Sequence, residues 1–155
     1  MMKKTNKYYA AYGSNLNLEQ MAVRCPTARV VAAATLKGYR LLFRGGKRSS
    51  VATVEPFDGG QVPILIWEIT PGDETALDQY EGFPILYRKE TIHVKMNGRD
   101  IDAMIYIMNT ECRPLGMPSP YYYSVIRKGY YDAGFDASVL CRATENSMET
   151  EEVNA

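Results

Sequence analysis

Histidine, cysteine and long apolar runs are all scarce in this chain, and each scarcity excludes something. Three cysteines, Cys25, Cys112 and Cys141, form an odd number without paired spacing, so neither a disulfide framework nor a zinc site is expected. The only histidine is His93, which leaves a Ser-His pair with one possible base. No stretch has the length of a membrane span. The N-terminal MMKKTNK is basic like the start of a signal peptide, but no apolar run follows it, so no signal peptide is expected. Charge of one sign is also missing: 18 Lys and Arg balance 18 Asp and Glu, and without a basic excess no nucleic-acid partner is indicated. A cytoplasmic enzyme or binding module is expected, with no metal or cofactor and with its oligomeric state left open.

What is present is a chain of 155 residues, enough for one domain that buries roughly two-thirds of its unfolded surface. Twelve tyrosines outnumber four phenylalanines and one tryptophan. A tyrosine offers a large apolar face with a hydroxyl at its tip, which suits a pocket for a small polar ligand; it equally suits the end of a barrel or the face of a helix.

Apolar alternation and turn residues divide the chain into short elements. Tyr8–Tyr12 reads as a strand and Asn17–Arg24 as a helix stopped by Cys25-Pro26. Arg29–Phe43 reads as one or two strands broken near Lys37-Gly38, SVATVEP and QVPILIWEIT as two more around an FDGG turn, and LYRKETIHVKM and RDIDAMIYIM as a hairpin on Asn97-Gly98. Thr70–Gly82 carries helix signals at both ends, with Thr70 as cap, Asp73 three positions on and Gly82 as the stop. Ser119 and Pro120 open a further helix, and Asp136 caps a last one running toward Met148. The pattern is α+β: a small mixed or antiparallel β-barrel with flanking helices, one domain over 1–142 and an acidic tail over 143–155.

Two places carry candidate chemistry. The first is the run Tyr12-Gly13-Ser14-Asn15-Leu16 after the first strand. Gly13 allows a positive φ and a close backbone approach, and Ser14 and Asn15 add short donors. Such a turn before a helix can cradle a carboxylate, a phosphate or an oxyanion, or it can be an ordinary Asx-type turn. Ser14 as nucleophile would need His93, which the strand ETIHVKM directs to solvent or a barrel end. The second is Glu81. It lies four residues after Leu77, on the apolar face formed by Ala76, Leu77 and Tyr80, while Asp78 and Gln79 point to solvent. Its position at the helix C-terminus and its desolvation both raise its pKa, as a general acid/base near neutrality requires. The alternative is a glutamate that reaches water or pairs with Arg88 or Lys89.

YGSNL directly after a first strand, LDQYEG closing a helix with a tyrosine shortly after, and PSPYY opening a later helix resemble, in this order and spacing, the γ-glutamylcyclotransferase family from about Tyr8 to Gly134. Asn15-Leu16 is similar to the YGSN branch. The resemblance implies a small barrel with flanking helices. It implies closure of a γ-glutamyl group into 5-oxoproline with release of the amine, on a small-molecule γ-glutamyl substrate and without metal. Residue by residue, it implies Tyr12, Gly13, Ser14, Asn15 and Leu16 as the substrate loop, Glu81 as general acid/base, and Tyr87 and Tyr122 as pocket tyrosines. GFPIL, between Glu81 and Tyr87, is about one residue shorter than in animal members. The competing reading from another class is a barrel that binds a small anion without catalysis. The basic loop Arg44–Ser50 reads either as a clamp for a substrate carboxylate or as a solvated mobile loop.

Overall fold

The computed structural model describes residues 2–153, with side chains described as far as residue 148. A five-stranded mixed sheet forms its centre, in the order β2-β3-β1-β5-β4. The strands are β1 (Lys7–Ala11), β2 (Arg29–Arg44), β3 (Val51–Ile69), β4 (Tyr87–Met96) and β5 (Arg99–Met108). The helices are α1 (Leu18–Arg24), α2 (Pro71–Glu81), α3 (Pro120–Ala133) and α4 (Ala137–Val153), and a single 3-10 turn covers Ser14–Leu16. The α+β architecture is the expected one. The sheet does not close into a barrel: its edge strands β2 and β4 approach each other but do not pair.

β1 is short and central. It runs antiparallel to β3, with Tyr9 opposite Trp67, and parallel to β5, with Tyr9 opposite Met104. Residues 12 to 16 therefore leave the middle of the sheet, not its edge. The expected break near Lys37-Gly38 and the FDGG turn both prove to lie inside long strands. β2 and β3 pair antiparallel from Arg29↔Glu68 to Arg44↔Val51, with irregularities between Val30 and Ala32 and between Lys37 and Tyr39. Gly38 (φ 82°) and Gly59 (φ 78°) take the left-handed region beside the second irregularity, so the ribbon bends there without ending. The core below the sheet includes Phe43, Val54, Ile64, Ile66, Ile105 and Met108, all essentially inaccessible to solvent.

Local helix signals are realised as expected. The Thr70 hydroxyl accepts from Asp73 N (3.1 Å) while the Asp73 carboxylate accepts from Thr70 N (2.9 Å), a complete capping box, and Gly82 ends the helix at φ 63°. Thr70→Ala is expected to cost about 1 kcal/mol, read as a lower denaturant midpoint with an unchanged m-value. On α1, Asn17 Oδ1 accepts from Gln20 N (3.0 Å), and on α3 the Ser119 hydroxyl accepts from Tyr122 N (3.1 Å). The expected boundary at 142/143 falls inside α4. Leu140, Ala143 and Ser147 are buried, and Phe43 N of β2 donates to the Ser147 hydroxyl (3.1 Å). Residues 154–155, the end of the expected tail, lie outside the described residues.

Helix α3 fixes the 14–16 turn. Leu16 is fully buried, and a Cβ on Gly129 of α3 would lie 2.6 Å from Leu16 Cβ and 2.8 Å from its carbonyl carbon. Only a glycine lets the two backbones approach this closely. Asn17 Nδ2 donates to Val125 O (3.2 Å) and ties the end of the turn to the same helix.

Candidate active site

A cavity of about 230 Å³ opens where β1 leaves the sheet, lined by residues from every strand except β2, by α2, by α3 and by the 13–15 run. That volume is below the range for drug-sized ligands and suits something the size of an amino acid derivative. Its lining includes Tyr9, Tyr12, Tyr80, Tyr87, Tyr106 and Tyr122, together with Gly13, Ser14, Asn15 and Glu81. Among the described residues no lysine or arginine lines it, and Glu81 is its only charged group.

The tyrosines are fixed by the sheet's own backbone. Tyr12 donates its hydroxyl proton to Tyr106 O (2.7 Å), and Tyr87 donates to Ala52 O (2.6 Å). The Tyr87 oxygen can still accept; the Tyr12 oxygen, also bonded by the Thr53 side chain, keeps one lone pair for this. Tyr122 is bound in the opposite sense, since its oxygen accepts from Ala52 N (3.0 Å) and its proton remains available to donate. Burial raises the hydroxyls of Tyr9, Tyr12, Tyr87 and Tyr122 well above their ordinary pKa, so the wall stays neutral across the physiological range. Gly13 leaves room for whatever occupies the cavity. A Cβ there would lie 3.3 Å from Ala52 Cβ and 3.6 Å from the Tyr122 hydroxyl. Its φ is −123°, so the glycine is needed for space and not for the positive φ anticipated from the sequence.

Glu81 ends α2 half-buried against this wall. Burial lifts its pKa from 4.5 to about 7, and the Arg24 guanidinium pulls in the opposite direction. The partners considered from the sequence are engaged elsewhere: Arg88 pairs with Glu90 (2.5 Å), and Lys89 with Glu74 (2.7 Å) and Asp78 (2.9 Å). Asp78 is not solvated as anticipated. It also accepts from the Tyr106 hydroxyl (2.6 Å). The direct hydrogen bond to Glu81 comes from Asn15, whose Nδ2 donates to Oε1 (3.3 Å) and to the Tyr9 hydroxyl (2.8 Å). The Ser14 hydroxyl bonds that of Tyr80 (2.8 Å). His93 lies far from Ser14, exposed beside Asp102 on the β4–β5 hairpin, so there is no Ser-His pair.

Of the residues picked out from sequence, Tyr12, Gly13, Ser14, Asn15, Glu81, Tyr87 and Tyr122 meet at this cavity. Leu16 does not; it lies in the core and supports the turn from beneath. The shorter 82–86 segment still delivers Tyr87, held by Leu86 N to Gly82 O (2.8 Å) and by Asn109 Nδ2 to Pro84 O and Ile85 O (both 3.0 Å). Tyr9, Tyr80, Tyr106 and Ala52 were missed. Tyr9 stands in a run of β1 buried on both faces, so nothing local marks it; Tyr106 and Ala52 arrive through strand pairing, and Tyr80 through the packing of α2, over distances a local pattern does not reveal.

No basic side chain of the Arg44–Ser50 loop lines the cavity: Lys47 and Arg48 are exposed, and Arg44 is engaged elsewhere. Arg44 pairs with Glu55 (2.5 Å) and donates to Arg113 O (3.1 Å). Gly45 N donates to Pro114 O (2.9 Å), Ser50 N to Met117 O (3.1 Å) and Met117 N to Lys47 O (3.2 Å). The loop is thus laced to residues 113–117, next to Val51 and Ala52 of the cavity wall.

Comparison with known proteins agrees with this geometry. Residues 9–132 match the family described as gamma-glutamyl cyclotransferase, AIG2-like. A human gamma-glutamylcyclotransferase is 33% identical over 138 residues, spanning 81% of this chain and 71% of that protein. A solved gamma-glutamyl cyclotransferase structure superposes with a TM-score of 0.74 at 26% identity, covering 94% of this chain and 86% of the other. The structure of an uncharacterized human protein gives 0.76 at 27% identity, covering 96% and 88%.

Proposed function

The chain belongs to the gamma-glutamyl cyclotransferase, AIG2-like family, and from that premise we propose that it closes a γ-glutamyl group into 5-oxoproline and releases the attached amine, with Glu81 as general acid/base. The observation carrying this reading is a single carboxyl with a pKa of about 7 in a cavity otherwise walled by neutral hydroxyl, amide and apolar groups. A module that only binds anions gains nothing from a carboxylate beside its ligand.

The α-nitrogen of the substrate attacks its own γ-carbonyl carbon. A C–N bond forms, the carbonyl oxygen takes the negative charge, and the tetrahedral centre collapses by breaking the C–N bond to the leaving amine. The α-nitrogen begins as an ammonium with a pKa of about 8 and sheds two protons in becoming a lactam N–H. The departing nitrogen gains two if it leaves as an ammonium. Glu81 accepts and returns these protons, and a pKa near neutrality lets one group serve both directions. The attack is intramolecular, so holding the chain folded removes much of the entropic barrier. Tyr12 and Tyr87, whose oxygens can accept, suit the ammonium. Tyr122, with a free proton, and the Gly13–Asn15 segment suit the α-carboxylate or the oxyanion. A cytoplasmic setting belongs to the same reading.

The test is to offer the protein a panel of γ-glutamyl-amino acids and γ-glutamyl-amines and to assay 5-oxoproline. Release from at least one member is expected, and the member identifies the leaving group; binding of the panel without release would instead favour the anion-binding module. Within this reading, Tyr122→Phe removes a donor to a charged oxygen and leaves Ala52 N–H unpaired. It is expected to lower kcat/KM about tenfold or more, seen in steady-state kinetics on the best substrate of the panel.

A further inference from the structure

Arg24 closes α1 without a carboxylate partner: among the described residues none stands within ion-pair distance of it. Its guanidinium is nevertheless held at three points. One nitrogen donates to Asn15 Oδ1, the other to Gln20 Oε1 (3.1 Å), and Cζ lies 3.4 Å from the centroid of the Tyr80 ring. Two of those three contacts are residues of the cavity wall, although Arg24 itself is not.

We propose that Arg24 is a positioning residue that acts on Glu81 through Asn15, fixing the side-chain amide so that its N–H faces the carboxyl and holding a positive charge one residue away from it. The proposal rests on the assignment of Glu81 above. A guanidinium only donates, so Asn15 must turn its oxygen toward Arg24. Its two N–H groups are then committed to Tyr9 and Glu81, and its oxygen to Arg24. With Arg24 gone, a flip of the amide no longer costs the guanidinium contact to its oxygen. The distance is also functional. A direct Arg–Glu pair would hold the carboxyl ionised and unable to return a proton, whereas no charge at all would leave it protonated in its buried site. The titratable groups lining the cavity around Glu81 are the hydroxyls of Tyr9 (β1), Tyr12 just after it, Tyr87 (β4), Tyr106 (β5) and Tyr122 (α3), with Tyr80 on its own helix, and they bring no countercharge. Arg24 is the cation that offsets burial at Glu81.

The experiment follows wild type, Arg24→Met and Arg24→Lys by two readouts: the pH profile of 5-oxoproline release, and a carbon-13 NMR titration of the Glu81 carboxyl, assigned by its loss in Glu81→Gln. Arg24→Met is expected to shift both the acidic limb and the titration upward by about one pH unit, with kcat reduced about tenfold at neutral pH and partly recovered at higher pH. Arg24→Lys keeps the charge and one donor, so its titration is expected to stay near wild type. An unshifted Glu81 titration in a folded Arg24→Met protein overturns the proposal, as does Arg24→Lys behaving like Arg24→Met. The NMR titration needs no substrate. Absence of release from wild type, with the titration still shifted by Arg24→Met, would therefore reject the cyclotransferase reading and not the coupling.

Discussion

Glu81→Gln is expected to abolish 5-oxoproline release while making the folded protein more stable than wild type above pH 7. The first half follows from the chemistry. Glutamine keeps the size of the side chain and its contact with Asn15, but it carries no proton to take or return, and losing a general acid/base lowers rates by about 10²- to 10⁴-fold. The second half follows from linkage. Burial raises the Glu81 pKa from 4.5 to about 7. Below 4.5 the carboxyl is protonated in both folded and unfolded chains and the two proteins are alike. Between 4.5 and 7 the unfolded chain ionises first, so the wild type loses stability as pH rises, and the loss is complete above 7. Glutamine does not ionise and escapes it, a difference of the order of 1–3 kcal/mol. Denaturant melts at pH 4 and pH 8, beside the activity assay, check both halves. Full activity in the variant would remove Glu81 from the mechanism. Equal stability at pH 8 would mean that the carboxyl is not held in a desolvated site. The same pKa predicts wild-type turnover that rises with pH through about 7.

Gly129→Ala is expected to damage stability and activity together, although position 129 touches no part of the cavity. The new Cβ would lie 2.6 Å from Leu16 Cβ, 2.8 Å from its carbonyl carbon and 3.0 Å from its carbonyl oxygen. Two of these are backbone atoms, so no rotamer change relieves the contact. Either α3 lifts from the sheet or the 14–16 turn moves. Overpacking of this kind costs about 1–3 kcal/mol. A turn displaced by even an ångström carries Ser14 and Asn15 with it, and misplacement on that scale can cost about 10²-fold in rate. A lowered denaturant midpoint together with a lowered kcat is the expected pair. Wild-type values for both would show that α3 is not closely seated on the turn. From sequence, Gly129 is only a poor helix former inside YSVIRKGYY; the reason for it lies more than a hundred residues earlier in the chain.

That separation describes what the sequence revealed and what it hid. The Thr70–Asp73 capping box, the Gly82 stop and the Asn97-Gly98 turn were legible because each consists of residues within a few positions of one another. Glu81 was legible for the same reason: a helix period places it beside Leu77. The long β2–β3 ribbon was read in pieces because Gly38 and Gly59 mimic turns, and only pairing across the sheet shows them to be bends. Arg24 and Asp78 were hidden because a charged side chain at a helix surface looks the same whether it meets water or a partner from another element. The order of the sheet was hidden too, since β1 pairs with two strands that follow it by about fifty and about ninety residues.

The bonds that fix the pocket tyrosines carry a last consequence. Tyr12 is tied to the carbonyl of Tyr106 in β5, and Tyr87 and Tyr122 to the carbonyl and amide of Ala52 in β3. Three walls of the site are therefore attached to the peptide groups of central strands. Displacing β3 or β5 would break these bonds, so the three tyrosine walls are coupled to the sheet. These walls are expected to keep their geometry while the sheet is intact.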